Sequence, residues 1–416
     1  DLHPRVRRQR QMCIRDRTIS VHKYHEYLDT VHEKEFLQSD YQGMKFSQRG
    51  WEVEYIEAIK DGKTVAFSMI ACMPLMKVFK YCYIPRGFFM DYHSKEDVIS
   101  FTSSLKEYLK KKNVIYAEID PSIEFVQRDK DGNIVEGGYN NFDVVENLKA
   151  AGFLHLPMKP GYDISKECRW VSVLNLKGKT KEEIFKEFSY QTRQDIRTYE
   201  KYCVKTRVLN EDQLDILDEM EKETSERQDF EAMSLDFYKD LYHFYGKSHI
   251  ETVLSYLDLD AYAIKMQSEF DKTSKDIEKT KAFLEQNPGN VKKEKRLKTD
   301  EEYYNSLQKK LSHIEELKQE YGKEIPLACC LFVKYGHQIV YLVGSSNYEH
   351  RVFRGPYAIQ WKMIQEAIDE GYDLYNFYGI SGYFHKDEEG YGVFDYKRGY
   401  NCLLYTSPSP RDLSTS

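Results

Sequence analysis

Residues 54–59 and 65–72 read as two strands either side of Asp61-Gly62, the signal of a tight hairpin turn. Residues 77–83 form a third strand that runs into Pro85-Arg86-Gly87. Between 96 and 112 the apolar residues Val98, Ile99, Phe101, Leu105, Tyr108 and Leu109 recur at helical spacing. A strand at 115–119 is stopped by Asp120-Pro121, and a helix at 144–151 is closed by Gly152. The second half opens with a strand at 170–176 and a basic helical stretch at 181–204. Helices at 212–224 and 234–246 follow, then strands at 325–335 and 338–344 about Gly336-His337, a helix at 356–370 and a strand at 374–378.

The aromatic strand at 374–378 opens the most distinctive stretch, 375–400. Gly379 and Gly382 punctuate it and let backbone turn or approach a ligand closely. An acidic loop, Asp387-Glu388-Glu389-Gly390, leads to a second short aromatic strand at 392–396 that ends in Lys397-Arg398. Ser381, Tyr396 and Lys397 then either frame a polar site on a rigid base or decorate an aromatic hairpin at a sheet edge.

The halves share a plan. A strand, Arg86-Gly87, a helix and a strand at 116–120 match a strand, Arg354-Gly355, a helix and a strand at 375–378. The pattern predicts a duplicated α/β domain with mixed sheets, against coincidence of common elements. Within the second copy, residues 265–321 are highly charged, with Phe270, Ile277 and Leu284 seven apart. Pro288-Gly289-Asn290 breaks that helix, and Leu307, Leu311, Ile314 and Leu317 form a second stripe. That is an antiparallel two-helix coiled-coil arm. Lys292, Lys293, Lys295 and Arg296 near its tip suit either RNA phosphate or a solvated face.

With 416 residues, 41% hydrophobic, the chain has length for two cores. A net charge of −7 excludes polyanion binding by bulk electrostatics, so nucleic acid would need a local basic surface. The eight cysteines show no CxxC and no His-paired metal spacing, and read as reduced thiols of a cytoplasmic protein with no metal. No apolar run approaches the ~18–20 residues that span a bilayer. Residues 1–17 and about 402–416 carry no periodicity and resemble translated adapter sequence, so they are set aside as a non-native leader and tail.

Gly344-Ser345-Ser346-Asn347, Tyr357-Ala358-Ile359-Gln360-Trp361, the run Tyr375–Gly382 and the closing Tyr396-Lys397-Arg398-Gly399-Tyr400 together resemble the FemABX group. Phe36-Leu37-Gln38-Ser39 and Pro85-Arg86-Gly87 are weaker matches. The resemblance implies an α/β fold of two tandem GNAT-like domains, 18–155 and 156–401, with the arm 265–321 inserted in the second. It implies transfer of an amino acid from aminoacyl-tRNA to the stem-peptide amine of a peptidoglycan precursor, lipid II or UDP-MurNAc-pentapeptide. No metal or organic cofactor is implied; the place implied is the cytoplasm, with peripheral contact at the inner face of the membrane where the acceptor is lipid-linked. Tyr396 and Lys397 match the family's aromatic-Lys pair that handles the aminoacyl end. Lys45 with Arg193 or Arg197 matches its phosphate-binding cations. Tyr83, Arg86 and Asp91 would flank the peptide groove, with Tyr242 lining it and Ser381 at the turn.

Each residue also has a plainer place: Lys397 at an edge strand, Lys45 at a helix end, Arg193 and Arg197 on a salt-bridged helix face, Tyr242 in a core, Ser381 bonded to its own turn. Two other functions compete. An acyl-CoA-dependent N-acetyltransferase needs a Q/R-x-x-G-x-G/A loop, which is absent from the sequence. A non-enzymatic RNA-binding or scaffold protein would use the arm, against the acidic net charge.

Overall fold

The computed structural model describes residues 15–75, 78–156, 160–162, 167–228, 230–406 and 411–414, so most of the set-aside leader lies outside it. The first half lays down strands β1 (Arg15–Ile19), β2 (Glu52–Lys60), β3 (Lys63–Pro74), β4 (Lys80–Ile84), β5 (Phe89–Met90), β6 (Val114–Ile119) and β7 (Leu154–His155). Its helices are α1 (Val21–Thr30), α2 (Asp40–Gln48), α3 (Lys95–Lys111) and α4 (Phe142–Ala150). The second half begins with β8 (Trp170–Asn175), α5 (Lys181–Glu187), α6 (Tyr190–Lys201), β9 (Val204–Val208), α7 (Leu214–Gln228), α8 (Leu235–Tyr245) and β10 (Ile250–Asp258). The arm helices α9 (Leu259–Gln286) and α10 (Val291–Tyr321) follow, then β11 (Glu324–Tyr335), β12 (Gln338–Ser346), α11 (Gly355–Asp369) and β13 (Leu374–Ile380). The chain closes with α12 (Tyr391–Arg398), β14 (Leu403–Thr406) and β15 (Arg411–Ser414).

The duplication read in the sequence is a duplication of topology. β2, β3 and β4 are antiparallel, and β6 returns parallel to β4 after the crossover helix α3. β10, β11 and β12 repeat this, with β13 parallel to β12 after α11. The sheets run β1-β2-β3-β4-β6-β15-β7 and β14-β8-β13-β12-β11-β10-β9. The α/β class, the tandem mixed sheets and the arm all hold. The arm grows from the hairpin of the second copy that matches Asp61-Gly62 in the first: Lys60 pairs with Lys63, and Asp258 with Glu324.

Helical spacing decides what each crossover buries. Val98, Phe101, Leu105 and Leu109 of α3 lie three or four apart and are buried on the first sheet. Ile359, Met363, Ile364 and Ala367 of α11 do the same on the second. Both crossovers start alike: Arg86 has φ 51° and Arg354 φ 62°, each followed by Gly. A Cβ on Gly355 would lie inside the contact distance of Leu327 Cβ and 2.9 Å from Ser255 Oγ.

Three readings change. Residues 392–396 are helix α12, not a strand. Gly390, left-handed at φ 75°, starts that helix, and Phe394 and Lys397, three apart, are its buried residues. The stretch 181–204 is two helices, because Ser189 accepts a hydrogen bond from the amide of Thr192 and so caps a new one. The tail set aside at 402–416 enters the sheets: β14 pairs with β8, burying Cys402 and Leu404, and β15 pairs with β6.

Among the described residues the halves also touch away from the cleft described below, and two of these contacts bear on the site. α2 packs on α8, with Arg49 ion-paired to Asp240 at 3.4 Å. The loop after β6 grips α12: Arg128 lies 5.0 Å over the Trp170 ring, and Asp131 pairs with Arg398 at 3.1 Å.

Gly355→Ala is expected to destabilise the fold by about 1–3 kcal/mol, read as a lower urea midpoint. Gly392→Ala, in the first turn of α12 with nothing within 4 Å of the added Cβ, is the control and should not.

Candidate functional site

β4 and β6 are parallel neighbours, and their last paired residues are Ile84 and Ile119. The residues just past that rung, Arg86 and Asp120, therefore emerge side by side at the C-terminal edge of the first sheet, where open α/β sheets gather ligands. The Asp120 carboxylate accepts from the Arg86 amide at 2.7 Å, lies 3.8 Å from its guanidinium and accepts from the Tyr83 hydroxyl at 3.2 Å. Burial pushes the Asp120 carboxyl up to about 7, against the pull of Arg86. Burial also opposes the Arg86 charge, but Asp120, Tyr378 and Glu167 outweigh it and hold the guanidinium protonated.

Arg86 then crosses to the second half. Its Nη2 donates to the Cys168 carbonyl at 3.2 Å. A cavity of about 670 Å³ opens here, walled by Glu35, Arg86 and Glu124 from the first half and Cys168, Gln338 and Tyr378 from the second. A groove of about 660 Å³ continues past Arg86, Ser122 and Asp91. Burial raises the Glu124 carboxyl to about 7. Glu35 accepts from Ser122 Oγ at 2.5 Å, and the Tyr378 hydroxyl donates to Glu167.

Lys397 stands behind this wall. The parallel pair β12–β13 holds for only three rungs, Gln338–Leu374 to Val340–Asn376, and then splays. Tyr400 packs on Phe377 there with ring centroids 4.8 Å apart, and α12 delivers Lys397 alongside, 6.0 Å from the Tyr341 ring. The buried Lys397 Nζ donates to the Gly379 carbonyl at 2.6 Å. Cys168 Sγ packs so closely on Gly379 that no Cβ fits. Arg86 and Lys397 thus hold the two adjoining backbone segments of one wall, at the carbonyls of Cys168 and Gly379. Burial depresses the Lys397 amine to about 8, with only the Cys168 and Cys402 thiols opposing it. An amine near neutrality that holds no carboxylate can give or take a proton.

The other sequence-derived residues fall in different places. Tyr83 and Arg86 meet at the cleft, and Asp91 lines the groove while accepting from the His93 amide at 2.9 Å. Tyr396 turns away from Lys397, edge-on to Tyr357 at 5.2 Å with its hydroxyl 3.4 Å from that of Tyr400, in the second core. Lys45 is buried at the α2–α8 contact, 4.2 Å over the Phe237 ring, and burial and Arg49 lower it to about 8. Arg193 donates to the carbonyls of Lys186 and Phe188 at 2.7 and 2.6 Å, ending α5, and Arg197 lies 5.8 Å over Phe185. The two share a face, but it is engaged with α5. Tyr242 is a core residue bonded to Thr252 Oγ1 at 3.0 Å. One turn on, Tyr245 makes the cross-domain contact, to Phe36 O and Gln42 Oε1 at 3.0 Å each. Ser381 Oγ accepts from the Tyr383 amide at 3.3 Å and serves its own turn.

Sequence reasoning missed Asp120, Cys168, Tyr378 and Tyr245 as site residues. Asp120 carried a signal, since it ends the strand that follows the crossover. Cys168 carried none. Among the described residues no group of three or more His, Cys, Asp or Glu is placed to hold a metal.

Comparison with known proteins follows the same lines. The model of the FemAB family matches residues 19–407. An aminoacyltransferase FemA of Staphylococcus epidermidis is 33% identical over 342 residues, 82% of each chain. One of Staphylococcus aureus is 33% identical over 346 residues, 83% of this chain and 81% of its own. The crystal structure of FemX superposes with a TM-score of 0.77 at 23% identity, covering 96% of this chain and 97% of its own, so the two share a fold.

The buried amine makes a stability prediction. Below about pH 8 Lys397 is charged folded and unfolded, and burial of the charge costs stability. Between about 8 and the ordinary 10.5, the unfolded chain holds the proton that the folded one has lost, so stability rises with pH. Against Lys397→Met, the wild type should therefore gain stability from pH 8 to pH 10 in urea unfolding; a pH-independent difference would place the amine's titration elsewhere.

Proposed function

The chain belongs to the FemAB family, and from that premise we propose that it moves an aminoacyl group from an aminoacyl-tRNA ester to the stem-peptide amine of a peptidoglycan precursor, lipid II or its soluble UDP-linked form. The observation that carries this reading is Lys397, a buried amine depressed toward neutrality directly behind a cleft formed by both halves. The neutral acceptor nitrogen attacks the ester carbonyl, a C–N bond forms, and the bond from that carbon to the ribose oxygen breaks. The proton lost by nitrogen ends on the departing oxygen. Lys397, leaving Gly379, stabilises the charge that develops on oxygen and relays that proton.

The walls suit the two reactants differently. Glu35 and Glu124 favour an approaching ammonium, and the raised carboxyl of Glu124 can accept its proton. Arg86, fixed by Asp120, keeps a positive charge at the groove junction for the acceptor's carboxylate or diphosphate. The preorganised geometry lowers the entropic cost of bringing amine and ester together. Lys45 and the α6 arginines do not line this cleft as placed, so the phosphate-binding part assigned to them rests on the family pattern alone.

The test is incubation with charged tRNA, lipid II or the UDP precursor and, separately, labelled acetyl-CoA. Label on the stem peptide only with charged tRNA supports the transfer; label from acetyl-CoA replaces it with N-acetylation. Lys397→Ala is expected to lower kcat by about 100-fold while the KM for the acceptor changes far less. Equal rates for wild type and variant would remove Lys397 from the reaction.

A further inference from the structure

Gln38, in the Phe36-Leu37-Gln38-Ser39 turn, is a polar side chain with no exposed surface. A buried amide is tolerated when its donors and acceptors are all met. Its Nε2 donates to the Met69 carbonyl at 3.1 Å and to the Pro85 carbonyl at 2.6 Å. Its Oε1 accepts from the Met69 amide at 2.9 Å, from the Tyr24 hydroxyl at 2.9 Å and from Ser68 Oγ at 3.1 Å. Backbone N–H groups only donate and backbone carbonyls only accept, so these partners fix which end of the amide faces which way. The turn is itself anchored from the other half, where the Tyr245 hydroxyl donates to the Phe36 carbonyl at 3.0 Å.

The Pro85 carbonyl has a particular place. It and the Arg86 amide are the two polar edges of one planar peptide unit. Gln38 holds the carbonyl at 2.6 Å, and Asp120 holds the amide at 2.7 Å. Side chains far apart in sequence thus clamp the plane from both edges. The residue that follows it is strained: Arg86 has φ 51°, a conformation that persists in an L residue where the surroundings over-determine it. Gly87 completes the seat, since a Cβ there would lie 2.7 Å from Ser68 Oγ and 3.0 Å from Gln38 Nε2. In the second copy the matching amide, of Arg354, is held within its own turn by the Arg351 carbonyl at 3.1 Å.

We propose that Gln38 is a positioning residue for Arg86: with Asp120 it clamps the peptide plane from which the Arg86 side chain springs, and so aims the guanidinium. Gln38 lines neither the cavity nor the groove, whereas Arg86 lines both. An apolar side chain of the same length would leave the Pro85 and Met69 carbonyls unpaired. The plane would then turn, taking the guanidinium away from Asp120 and the Cys168 carbonyl. That Arg86 serves an anionic group of the acceptor rests on the transfer proposed above; that Gln38 aims Arg86 stands without it.

The experiment is amide hydrogen exchange of the full chain, read by mass spectrometry over residues 86–88 and, as the reference within the same half, residues 98–109 of α3. Gln38→Met keeps the length and removes the amide; it should exchange about tenfold faster over 86–88 and unchanged over 98–109. Ser68→Ala removes one donor to Oε1 and spares the Pro85 bond, so it should exchange as the wild type does over both. In the transfer assay, Gln38→Met should raise the acceptor KM about tenfold with kcat little changed. In an Arg86→Met background it should add nothing, as residues acting through one another do. Faster exchange over both segments, or over neither, overturns the proposal, and so does a KM penalty that persists in the Arg86→Met background. A wild type without transfer removes the function proposed above and leaves the exchange result to decide this one.

Discussion

The cleft depends on a buried charge. Arg86 is fixed by Asp120 within its own half and reaches the Cys168 carbonyl in the other. Neither partner is well solvated, and a guanidinium in that position is tolerable only while its donors are satisfied. The strand ends of the first sheet, the left-handed turn at Arg86 and the segment that brings Cys168 across are all conditions of that satisfaction. With Arg86 in place, the wall at Cys168 and Gly379 is closed, and Lys397 is shut behind it with little water. Its depressed proton affinity is thus a consequence of burial beside Gly379, Tyr341, Cys168 and Cys402, and not of a charged neighbour.

Much of the fold was legible because it is written in local spacing. The crossover helices announced themselves by apolar residues three and four apart, and the hairpins by Asp61-Gly62 and Gly336-His337. The duplication was visible through Arg86-Gly87 and Arg354-Gly355, which the structure gives the same left-handed start. Residues 392–396 misled because Val393, Phe394 and Tyr396 have the composition of a strand; Gly390 and the contacts of Phe394 decided for a helix, and composition sees neither.

The site was less legible, for a reason of geometry. Tyr83, Arg86 and Lys397 were readable one at a time, but their common wall runs through Cys168 and Gly379, which are separated by the whole second sheet in sequence. Arg193 and Arg197 were correctly placed on one helix face, yet a face does not say what covers it, and α5 does. Tyr242 and Tyr245 lie three apart on α8, and only the packing of α2 tells which of them crosses between halves.

The grip of the 128–131 loop on α12 has a mechanical meaning. Asp131 belongs to the first half, and its partner Arg398 is the residue after Lys397. If the halves swing apart to admit a bulky reactant, this tether must either part or drag α12 with it, and the lysine amine would slide relative to Gly379. Aperture and the seat of the lysine are then geared together: a mouth that widens with the tether intact carries α12, and with it Lys397, away from the Gly379 carbonyl it holds.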